Sequence, residues 1–88
     1  PLQFNLSDAY PNPFNPTTHL TLEMPVDGHV SIQVYNVVGQ VVEVLVNNNL
    51  TAGYHEITWN ASNVPSGMYF VRSVMGSEIK TQKVMLLK

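Results

Sequence analysis

The chain contains no cysteine. That absence excludes a disulfide staple, a thiolate metal centre and a cysteine nucleophile. It does not exclude an extracellular home, where disulfides are common but not obligatory. Charge is scarce too. Charged residues make up 11% of the sequence, well below the roughly one quarter typical of globular domains. Four Lys and Arg against six Asp and Glu leave a net charge of −2. No basic footprint for nucleic acid exists, and no polybasic patch for anionic lipid. No apolar run approaches the roughly 20 residues that a membrane helix needs. No basic stretch followed by an apolar one opens the chain in the manner of a signal peptide. Opening at Pro1 without an initiator Met, the sequence reads as a piece of a longer protein. Its 88 residues make one domain with a modest core. Hydrophobic content of 44% is ordinary for a globular domain, and with so little charge it argues against a disordered tail.

Proline is concentrated where most structure would forbid it. Tyr10-Pro11-Asn12-Pro13-Phe14-Asn15-Pro16-Thr17-Thr18 holds three of the six prolines. Each fixes its own φ, removes a backbone donor and biases the preceding residue toward extended geometry. The segment is a stiff lead-in, neither helix nor central strand. After it, helical periodicity is absent and period-2 alternation recurs. Leu20, Leu22 and Met24 share one face of the first run, and Val30, Ile32 and Val34 share one face of the second. Pro25 and Asp27-Gly28 separate these runs, which read as an antiparallel pair with one wet face. Gly39 is the expected positive-φ residue of the next turn. Val41 to Val46 follows as a β-branched strand, and Asn47-Asn48-Asn49 as punctuation. Further strands are read over Tyr54 to Trp59, Met68 to Val74 and Glu78 to Leu87. The fold class is all-β: an Ig-like or fibronectin-type antiparallel β-sandwich of about seven strands, with turn signals every 8–12 residues. With no crossover helix, a parallel α/β sheet is excluded.

No constellation carries catalysis, so the chain is read as a non-enzyme without cofactor, metal or small-molecule substrate. The acids fall about one per strand on outward positions, which suits solvated faces better than a carboxylate pair. His19 and His29, outward on neighbouring runs, read as a cross-strand pair by chance rather than a metal site. Neither a calcium-binding string nor a nucleophile elbow occurs. Asn5-Leu6-Ser7, Asn49-Leu50-Thr51 and Asn60-Ala61-Ser62 fit the N-glycosylation pattern but read as turn and cap chemistry. Trp59, the only tryptophan, is expected in the core, the alternative being a sugar-binding platform.

Several strings in order carry a resemblance. They are the Pro-Asn-Pro lead-in, Val34-Tyr35-Asn36-Val37-Val38-Gly39-Gln40-Val41-Val42, Leu50-Thr51-Ala52-Gly53-Tyr54-His55, Val64-Pro65-Ser66-Gly67-Met68-Tyr69-Phe70-Val71 and Lys80-Thr81-Gln82-Lys83-Val84-Met85-Leu86-Leu87-Lys88. Together, over Leu6 to Lys88, they resemble the type A C-terminal sorting domain of type IX secretion. The middle, Val26 to Val71, is also similar to the Ig-like domain of flagellar hook-capping proteins. Those do not usually pair the Pro-Asn-Pro lead-in with a Lys-rich final strand.

The resemblance implies an address on a large exported cargo. The outer-membrane secretion machinery would recognise it once the cargo has reached the periplasm. The product would be secreted or held at the cell surface, with cleavage and attachment to surface lipopolysaccharide as possible later steps. Residues 1–9 are expected as a linker from an upstream cargo domain, and residues 10–88 as the sorting domain. The candidate recognition residues are Pro11, Asn12, Pro13, Gly67, Tyr69, Lys80, Lys83 and Lys88. For the final strand, completion of the sandwich stands beside recognition by strand addition. For the lead-in, a cap with Phe14 or Tyr10 plugging the core stands beside receptor contact, with Asn12 and Asn15 bonding nearby backbone in Asx-turns. The alternative function is an Ig-like binding module, for carbohydrate or protein, or a spacer, appended to a secreted enzyme.

Overall fold

Every alternating run of the sequence forms a strand in the computed structural model, which describes residues 1–88. In chain order the strands are β1 (Asn5–Leu6), β2 (Thr17–Met24), β3 (Gly28–Tyr35), β4 (Val41–Leu50), β5 (Gly53–Asn60), β6 (Gly67–Met75) and β7 (Glu78–Leu86). All pair antiparallel, in a three-stranded sheet β1-β2-β5 and a four-stranded sheet β4-β3-β6-β7. The inward rows meet in one cluster of 17 buried hydrophobic residues. Leu20, Leu22, Met24, Ile57 and Trp59 come from the first sheet, and Val30, Ile32, Val34, Tyr69, Val71, Val84 and Leu86 from the second. This is the expected all-β, Ig-like sandwich, helix-free and split three strands against four.

Three local expectations change. The first two long runs do not pair: β2 and β3 lie in different sheets. Both edges of β3 are taken, by β4 and β6, and Pro25 removes the donor that would extend a ladder around the turn. Asn47-Asn48-Asn49 is not a break but strand, opposite Ser31, Val30 and His29. Pairing along β3 overrides the poor strand propensity of asparagine. Residues 1–9 do not read as a free linker either, because Phe4, Leu6 and Ala9 enter the core and Asn5–Leu6 pairs with β2.

Trp59 is 1% exposed. Its ring lies 5.3 Å from that of Phe14, tilted at 52°, and 5.4 Å from that of Tyr69, edge-on at 76° as aromatic quadrupoles prefer. The Tyr69 hydroxyl donates to the Pro65 carbonyl at 2.6 Å, the tyrosine corner that closes the turn into β6 in Ig-like sandwiches. Gly39 has φ +86°, as its turn requires.

Candidate functional site

The last strand and the proline-rich lead-in, at opposite ends of the sequence, meet along one side of the sandwich. Core burial positions both. Val84 and Leu86 of β7 face inward, and Phe14, 2% exposed, fills the space beside Trp59. Tyr10 does not share that role, being 80% exposed. The segment starts on the first sheet, where Tyr10 and His19 exchange backbone bonds of 2.9 and 3.0 Å. The Thr18 hydroxyl donates to the Pro11 carbonyl at 2.7 Å. The chain then crosses to the second sheet, where Phe14 forms a parallel bridge with Leu86.

The contacts on β7 follow from the prolines. Pro11 and Pro13 have no N–H to offer the strand. The side chain of Asn12 supplies an amide instead. Its Nδ2 donates to the Lys83 carbonyl at 3.2 Å, and its Oδ1 accepts from the Met85 N–H at 3.0 Å. The next available backbone donor, Phe14 N–H, reaches the Met85 carbonyl at 2.9 Å, and Leu87 N–H returns to the Phe14 carbonyl at 3.0 Å. Asn12 thus bonds distant backbone, not the neighbouring residues expected of an Asx-turn. Gln82 completes the junction from the other side, donating to the Ser7 carbonyl and accepting from the Ala9 N–H at 2.7 Å.

The outer edge of β7 is therefore divided. From Lys83 to Leu87 the lead-in occupies it. Strand alternation aims the backbone groups of Ile79 and Thr81 along the same edge, but no strand pairs with them.

The remaining recognition candidates do not form one patch. Pro11 and Pro13 are exposed beside Asn12. Lys80 shares the face of Val84 and Leu86 yet is exposed, because the sandwich is open at that end of β7. Lys83 lies opposite Phe70 on the outer face. Lys88 extends past the strand, its Nζ donating to the Ser62 carbonyl at 2.8 Å. Tyr69 is 4% exposed and committed to the core and its corner bond. Gly67 has φ +153°, with open space where a Cβ would project, so backbone conformation is what favours glycine there. Phe14 is the core plug that the sequence offered beside Tyr10. Gln82 was not among the candidates; its partners Ser7 and Ala9 lie more than 70 residues away, and no local pattern signals them.

Elsewhere the polar groups do structural work. His19 and His29 sit on opposite sheets, bonded to Thr58 Oγ1 at 3.1 Å and Asn47 Oδ1 at 3.0 Å, and do not face each other. The Asn60 carboxamide oxygen accepts from the Ser62 N–H and hydroxyl, which is turn chemistry. Burial of Trp59 removes it as a platform for sugar. An open cleft of about 400 Å³ lies on the outer face, lined by residues that include Tyr35, Phe70 and Arg72.

A family model described as a secretion system C-terminal sorting domain matches residues 8–87. No curated protein matches the chain.

Proposed function

The chain belongs to the secretion system C-terminal sorting domain family of type IX secretion, and from that premise we propose that it is a folded address for an upstream cargo, read at its terminal strand. The match over residues 8–87 carries this reading. Membership implies export to the cell surface or the extracellular space, interaction with the secretion machinery and a non-catalytic role for this domain. The finer reading is that a cargo domain precedes the sandwich in the same polypeptide and crosses the periplasm and outer membrane with it. Cleavage of the address, with release or surface attachment of the cargo, belongs to the same reading.

The geometry supports β7 as the reading surface. It is an outer strand, its Lys80 and Lys83 are exposed, and part of its edge lacks a partner. Lysines on an edge deter indiscriminate pairing while leaving the backbone open to a chosen strand. The Pro-Asn-Pro segment and the start of β6, Gly67 to Tyr69, flank that strand on either side.

The test replaces surface charge and leaves the core intact. Deleting Lys80 to Lys88 would also remove Val84 and Leu86, which are buried. A cargo fusion carrying Lys80→Glu, Lys83→Glu and Lys88→Glu should instead accumulate in the periplasm with the domain still folded by circular dichroism. Normal export of that folded variant would refute β7 as the reading surface.

A further inference from the structure

We infer that Asn12 is a latch on the terminal strand, holding shut the stretch of β7 edge that a partner strand must reach; this rests on the sorting reading above. Two observations carry it. The first is that the lead-in is a poor strand where it covers β7. Pro11 and Pro13 cannot donate, so the Lys83 carbonyl and the Met85 N–H are satisfied by a side chain. A regular incoming strand offers a backbone amide at every second position and can replace those bonds one for one. The second is that the adjoining backbone of Ile79 and Thr81, although β1 and residues 7–9 come close to β7 on its inner side, pairs with no strand. That is a foothold next to the latch, on the same edge.

The lead-in divides into a movable part and an anchor. Asn12 is exposed and holds β7 only through its carboxamide. Phe14 is buried against Trp59 and is bound to Met85 and Leu87 through its backbone. Release of the Asn12 carboxamide lets Pro11 to Pro13 swing off the edge and uncovers it as far as the Met85 N–H without drawing Phe14 from the core. The continuous accepting edge then runs from Ile79 to Met85 and fits an extended polypeptide segment of the secretion machinery. While the latch is closed, the free edge is too short for stray pairing, the hazard that exposed edges carry.

Amide exchange and export test this together in the full chain and its cargo fusion. Asn12→Ala should speed exchange at Met85 by about tenfold, the effect of losing one well-formed hydrogen bond at an exposed site. Leu87, held by Phe14, should not change. The fusion carrying Asn12→Ala should be exported faster than the unmodified fusion. Asn12→Asp, which keeps the acceptor for Met85 and loses the donor to Lys83, should fall between them in both measurements. Unchanged exchange at Met85 overturns the latch. So does raised exchange with export that is unchanged or slower, because the lead-in then merely completes the sandwich. Failure of the unmodified fusion to leave the periplasm overturns the sorting reading itself, a result distinct from either.

Discussion

Ser73 and Trp59 hold the two buried side-chain polar atoms without a hydrogen-bond partner, Oγ and Nε1. An orphaned buried polar atom costs about 1–3 kcal/mol. Ser73→Ala removes one such atom with little change of shape. It should leave stability unchanged or raise it by up to about 1 kcal/mol in urea titration, and a clear loss would mean that the hydroxyl has a partner. Tyr69 is the opposite case. Tyr69→Phe keeps the ring against Trp59 but strips the Pro65 carbonyl of its donor, for an expected loss of about 1–2 kcal/mol. Both roles were only half legible in the sequence. Alternation places Tyr69 and Ser73 on the inward side of β6, but whether a hydroxyl finds a partner depends on what the fold brings beside it.

At the scale of elements, period-2 alternation located β2, β3 and β5, which bury one face and wet the other, while β-branched content located the start of β4, which has no fully buried residue. It could not show which strands pair. Pro25 and Asp27-Gly28 are turn residues whether the chain makes a hairpin or crosses between sheets, and here it crosses. Nor could it reveal β1, since two residues carry no period. The prediction is that removing residues 1–9 destabilises the domain by several kcal/mol in urea unfolding, at about 2–5 kcal/mol for each large apolar side chain lost from the core. A true linker would leave the midpoint unmoved. The edges show a further division of labour. β4 carries two register irregularities against β3, which twist an edge away from stray partners. β7 is covered by the lead-in over its second half alone.

For the whole molecule, composition excluded more than it identified. Scarce basic charge argued against a nucleic-acid footprint, and absent cysteine removed cysteine thiol chemistry. The all-β sandwich followed from spacing, and the function from ordered strings along nearly the entire chain. What local pattern could not contain was the meeting of the first and last strings in space. The lead-in and the final strand stand more than 70 residues apart at Asn12 and Met85, yet they form one edge. On the reading proposed above, Phe14 keeps the lead-in docked on the folded sandwich while Asn12 lets go, so export should require the folded domain. The most direct measurement is the location of a reporter enzyme fused ahead of residues 1–88 in a bacterium with type IX machinery and in a mutant lacking it. The account predicts reporter at the surface or in the medium in the first strain and in the periplasm of the second. Periplasmic reporter in both strains, with the domain folded, would contradict it.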